Sequence, residues 1–106
     1  MERLTIPLIV IMVMALQSCV SGYQIVRNQV FVKPGEVANV HVDCPMGQEV
    51  FGGGFDIETP DDVKVFSSEP ADTQGNLIEN GWNVRVENIG SNTRQATVSA
   101  ICASGK

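Results

Sequence analysis

The chain has 106 residues, room for a single domain. Seven Lys+Arg against twelve Asp+Glu give a net charge of −5 with no basic stripe, which argues against nucleic-acid binding because that rests on neutralising phosphates. Hydrophobic residues make up 43 %, the composition of a folded chain, although part of that fraction sits in the first nineteen residues.

Those residues read "MERLTIPLIVIMVMALQSC". After Arg3, the apolar run from Leu4 to Leu16 is too short for a membrane-spanning helix, which needs about twenty residues, and suits the core of a signal peptide. The run ends in "LQSC", which resembles the lipobox of bacterial lipoproteins: Leu16 at −3, Ser18 at −1, then Cys19. The resemblance implies a signal peptide over 1–18, lipid (diacylglyceryl and palmitate-type acyl chains) on Cys19, and a tether over 19–22. Two or three acyl chains anchor stably, since each buried methylene contributes roughly 0.8 kcal/mol. Val20 follows Cys19 where Asp would imply inner-membrane retention, so the resemblance implies an outer-membrane location in a host that has one.

Three cysteines are an odd number for an exported protein. Lipidation of Cys19 leaves Cys44 and Cys102, which an oxidising compartment allows to pair. A zinc site from Cys44, Cys102 and the lone His41 would lack a fourth ligand.

From residue 23 to 106 no 3.6-residue apolar period is sustained, and strand signals alternate with turn signals. The first predicted strand covers Tyr23 to Val32. "KPGE" then puts Pro34 and Gly35 at the centre of a type II turn. A second strand, Val37 to Cys44, has Val40, Val42 and Cys44 on one face and His41 and Asp43 on the other. "CPMG" turns the chain into a third strand from about Glu49 to Glu58. "TPDD" ends it, and a fourth strand follows over Val63 to Ser67. Ser68 to Asn80 reads as a loop. In the next strand Trp82, Val84 and Val86 alternate with Asn83, Arg85 and Glu87. "NIGSNT" reads as a hairpin loop, and the last strand runs from Arg94 to Cys102 with Val98, Ala100 and Cys102 on one face.

The expected fold is all-β: a small antiparallel β-sandwich of six or seven strands with one disulfide. Cys44 and Cys102 both fall on apolar faces, so their sulfurs meet in the core. Their bridge closes a loop of about sixty residues, a stabilisation of roughly 4 kcal/mol in the chain-entropy picture.

Gly52, Gly53 and Gly54 raise the question of a phosphate-cradling loop. A nucleotide loop of that kind needs Gly-Lys-Ser/Thr leading into a helix, and here Gly54 is followed by Phe55. Alternation instead continues through the segment, with Phe51, Gly53, Phe55 and Ile57 on one face. Glycine inside a strand marks a bulge or a close neighbour, and the expected neighbour is Trp82.

The pattern "CPMGQEVFGGGF", "GWNVRVENIG" and "ATVSAICA" is similar to a small module of bacterial and phage-related exported proteins. The resemblance implies the fold and the disulfide and carries no activity. For chemistry, His41 and Asp43 share a strand face as a base and its orienter would, but no Gly-x-Ser-x-Gly elbow supplies a nucleophile. Asp56, Glu58, Asp61 and Asp62 cluster near "TPDD" as calcium candidates without EF-hand spacing; such turns mostly serve solubility. No cofactor is indicated. The expectation is a non-enzymatic, membrane-anchored surface lipoprotein that binds an envelope protein or glycan, in a phage setting by masking a receptor. The alternative is a carbohydrate- or calcium-binding accessory module or, further off, a hydrolase. A sugar platform needs exposed aromatics. With Trp82 read as buried, these reduce to Tyr23, Phe31 and Phe66.

Overall fold

The computed structural model describes residues 22–104; the signal segment and Cys19 lie outside the described residues. Period-2 alternation dominates, and it yields six strands: β1 (Tyr23–Val32), β2 (Val37–Asp43), β3 (Glu49–Ile57), β4 (Val63–Glu69), β5 (Gly81–Asn88) and β6 (Arg94–Ala103). They form two antiparallel three-stranded sheets, one ordered β1-β6-β3 and the other β2-β5-β4. The inner faces meet over a core of small side chains, among them Val40, Val84, Val86, Ala96 and Val98, all 1 % exposed or less. β-Branched valine fits a pleated, two-sided layer of this kind.

The disulfide joins Cys44 and Cys102 with Cα atoms 5.7 Å apart. Cys44 sits one residue past β2, and Cys102 lies in β6, so the bridge runs across the sandwich rather than within a sheet. Around it pack Ala100 and the half-buried Val26, Val42 and Val50. The "KPGE" turn forms as the sequence indicates. The Glu36 N–H donates to the Lys33 carbonyl at 3.0 Å, and Gly35 takes φ +79°, the left-handed value that the third position of a type II turn requires.

Three expectations are corrected. "NIGSNT" is not a hairpin loop, because β5 and β6 belong to different sheets and the segment crosses between them. The physical reason is Asn88, which is 0 % exposed. Its Nδ2 donates to the Val32 carbonyl (2.8 Å) and the Asn92 carbonyl (2.7 Å), while its Oδ1 accepts from the Gly90 N–H at 2.9 Å. One fully paired buried amide thus pins the end of β1 to the crossing. In β3, the alternation assumed through Phe51 is broken by a register shift. Val50 lies opposite Cys102 and Gly52 opposite Ile101, so Phe51 is the extra residue of a bulge. Strand β4 continues to Glu69, two residues past the expected end, and carries a similar irregularity at Phe66.

Candidate functional site

None of Gly52, Gly53 and Gly54 has a positive φ, so their reason is steric rather than conformational. Gly53 lies on the inner face of β3, opposite Ala100 of β6. A Cβ placed there would fall 2.6 Å from Trp82 Cγ and Cε2, and closer still to Cδ2. The indole therefore lies flat on a strand that offers it bare backbone, and its Nε1–H donates to Ser68 Oγ at 3.0 Å. Gly52 and Gly54 face outward with room to spare: a Cβ at Gly52 would meet only Ile101 Cδ1 at 3.8 Å, and one at Gly54 nothing within 4 Å.

Trp82 points inward as its alternation indicates, yet it is half-buried rather than buried, because it stands at the mouth of the sandwich. There it forms one wall of a cleft of about 410 Å³, with Val50, Phe51, Pro70 and Ile78 among the apolar lining and Glu49 and Glu79 beside them. That size falls within the range of small-ligand and side-chain pockets. The walls are fixed by backbone bonds: the Val50 N–H donates to the Glu79 carbonyl at 2.7 Å, and the Cys44 N–H to the Asn80 carbonyl at 2.8 Å. The bulge turns Phe51 outward at the lip, where it is 63 % exposed.

The chain between β4 and β5, read from the sequence as a plain loop, carries much of what the sequence did not reveal. Asp72 organises it. Its Oδ1 accepts from the backbone N–H groups of Gln74 and Asn76, both at 2.9 Å, and its Oδ2 from Asn76 Nδ2 at 3.1 Å. The Asn76 backbone bond, and then its side-chain amide, hold the Asp72 carboxyl below the usual carboxylate range. The loop covers part of the outer face of β2-β5-β4. Asn83, which strand alternation would leave in solvent, is 4 % exposed there.

His41 and Asp43 are brought together as expected, with Nε2 2.7 Å from Asp43 Oδ1. The other ring nitrogen, Nδ1, is buried and meets no partner. A general base needs that second nitrogen open to a nucleophile, so the pair as placed is a structural contact beside Gly81, where an added Cβ would lie 2.7 Å from Asp43 Oδ1. The carboxylates near "TPDD" are not gathered. Asp62 accepts from Arg94, with Nη2 at 2.7 Å, and Glu58 Oε1 accepts from the Gln95 N–H at 3.3 Å. Among the described residues no three His, Cys, Asp or Glu side chains come close enough to hold a metal ion. Cys44 and Cys102 are consumed by their bridge and are not available as metal ligands.

No protein-family model matches this chain, and no curated protein or solved structure matches it.

Proposed function

We propose that the protein is a non-enzymatic, lipid-anchored module of the cell envelope that binds an extended segment of another envelope protein. The observation that supports this reading is the placement of the aromatic side chains. Tyr23, Phe31, Phe51, Phe55 and Phe66 are 48–67 % exposed, and they are every tyrosine and phenylalanine in the chain. A core of valine and alanine leaves them all for the surface, where clustered apolar groups serve interaction.

Three of them fall in two regions that bear on this reading. Tyr23, Ile25 and Ile101 lie together on the outer face of the β1-β6-β3 sheet, where Ile25 stands opposite Ile101. Tyr23 stands four positions after Cys19, a reach of at most about 14 Å. A lipid on Cys19 would hold this apolar end against the membrane interface. Phe51 and Phe55 lie on β3, an edge strand paired only with β6, beside the Trp82 cleft. An extended peptide laid along such an edge gains main-chain bonds, and the cleft takes one of its side chains. With Glu49 and Glu79 in the cleft lining and a net charge of −5, the matching segment carries an apolar residue flanked by Lys or Arg.

The test has two arms. With labelled palmitate supplied to the host, the wild type should take up label and sediment with membranes, and Cys19→Ser should do neither; equal labelling of both overturns the anchor. Trp82 is the only tryptophan, so its fluorescence reports the cleft directly. Peptides with a central Leu or Phe between lysines should shift its emission saturably, and Phe51→Ser should weaken that response. No response to any such peptide, or an unchanged response in Phe51→Ser, overturns the peptide site.

A further inference from the structure

The outer face of the β2-β5-β4 sheet carries a second depression, away from the Trp82 cleft and unlike it in chemistry. It measures about 260 Å³, and its floor and sides come from Asn39, Ser67, Glu69, Asn83 and Arg85, with Gln74 of the covering loop above. Polar groups of this density are ordinarily paired with one another. Here they are not. Asn83 is 96 % buried, its Nδ2 donates to Asn39 Oδ1 at 3.0 Å, and its Oδ1 has no partner. Among the described residues neither Arg85 nor Glu69 makes an ion pair, with each other or with any other side chain. That oxygen is closed to solvent, so a ligand at the opening meets the Asn39 amide, Ser67, Glu69 and Arg85.

We infer that this depression binds a neutral saccharide. The lining disfavours singly charged and apolar ligands in turn. An anion would meet Glu69, a cation would meet Arg85, and an apolar group would leave Ser67, Glu69 and Arg85 without partners. A sugar hydroxyl both donates and accepts, so a set of neighbouring hydroxyls can satisfy a guanidinium, a carboxylate and the Asn39 amide together. The depression also adjoins a shallower hollow of about 310 Å³ lined by Val37, Phe66 and Arg85. Phe66 is the residue thrown outward by the irregularity in β4, and its ring is 48 % exposed. Lys64 Nζ lies over the ring, 5.2 Å from its centroid, and this flexible side chain swings aside for the ring to stack on the C–H face of a pyranose. Arg85 belongs to both hollows, so a disaccharide can lie with one ring against Asn39 and the next on Phe66.

The experiment uses the full protein, extracted from membranes in a phosphocholine detergent that carries no sugar. Amide NMR spectra are recorded with maltose, cellobiose, chitobiose, a sialylated sugar and inorganic phosphate. The expected result is saturable shifts at Asn39, Asn83 and Arg85 with at least one neutral disaccharide. Arg85→Ala should weaken that binding roughly tenfold or more, as loss of a charged hydrogen bond does. Phe66→Ala should weaken the disaccharide more than its monosaccharide. Both positions are on the surface, and unchanged thermal melting of the two variants confirms that they fold. Shifts at these residues with phosphate or the sialylated sugar alone, or no shifts with any neutral sugar at tens of millimolar, overturn the proposal. The site is on the opposite sheet from the β3 edge, so either reading can fail without the other.

Discussion

Replacing Gly53 by alanine adds one methyl group, and the structure states what it strikes: the five-membered ring of Trp82, at 2.6 Å from Cγ and Cε2. A contact that short cannot stand, and the obstacle is a rigid indole rather than a flexible chain end. Either Trp82 leaves its seat or β3 moves away from β5. Overpacking of this kind costs about 1–3 kcal/mol. Displacing the indole also breaks the Nε1–H bond to Ser68 Oγ, worth about 1 kcal/mol. A combined loss of about 3 kcal/mol lowers the melting temperature of a domain of this size by about 15 °C. Gly54→Ala is the control, since its Cβ meets nothing within 4 Å and its φ is not positive. It should melt within about 3 °C of the wild type, or above it because alanine reduces the freedom of the unfolded chain. Circular dichroism gives the melting points. Tryptophan emission gives the cause, because only Gly53→Ala should shift the folded-state spectrum of Trp82 to longer wavelength. Equal destabilisation by the two substitutions would refute the steric argument and restore a role for the triplet as a unit.

Reduction of the disulfide, or Cys102→Ala, should lower stability by about 4 kcal/mol, given a sequence separation of 58 residues, as read from denaturant melts. Truncation before Thr97 should abolish cooperative unfolding altogether, since β6 is the centre strand on which both β1 and β3 depend. Gly35→Val should cost roughly 1–2 kcal/mol, because φ +79° is unfavourable for a residue with a Cβ, and a denaturant midpoint measures it. Hydrogen bonds from Asn76 hold the Asp72 carboxyl below the ordinary aspartate value of 3.8, so its contribution to holding the 72–76 loop is full above that pH and disappears as pH falls through the depressed folded value. The amide resonances of Gln74 and Asn76 should move together in that acid window, and in Asp72→Asn they should not titrate there.

The fold was legible where a single residue type answers to one physical demand. Alternating valines marked the strands to within two residues. Pro34-Gly35 marked the turn, and the apolar phase of Cys44 and Cys102 marked the bridge. What stayed hidden was register and sheet membership. Nothing in "NIGSNT" distinguishes a hairpin from a crossing, because the deciding interaction is between Asn88 and the Val32 carbonyl, 56 residues away in sequence. The glycines of β3 signalled a bulge or a close neighbour, but not that Phe51 is the extra residue, since inserting one residue leaves the strand's composition unchanged and alters only which neighbour it faces.

The candidate site divides along the same line. Gly53 and Trp82 could be paired from the sequence, because a bare strand position and a lone large ring make a complementary demand. Pro70, Ile78 and Glu79 could not, because they lie in a segment without periodicity whose shape comes from the Asp72 carboxylate and from two backbone bonds to β3 and Cys44. The aromatic residues show most clearly why. The sequence already left Tyr23, Phe31 and Phe66 to the surface, but it put Phe51 and Phe55 on the face of Gly53 and Ile57, and both are exposed as well. Here the sheets close on valine and alanine, and a covalent bridge adds to that core what burial alone need not supply. Once the interior can do without aromatic rings, each one left on the surface is free to meet something outside the domain, at the Tyr23 end of β1, along the β3 edge and above Arg85.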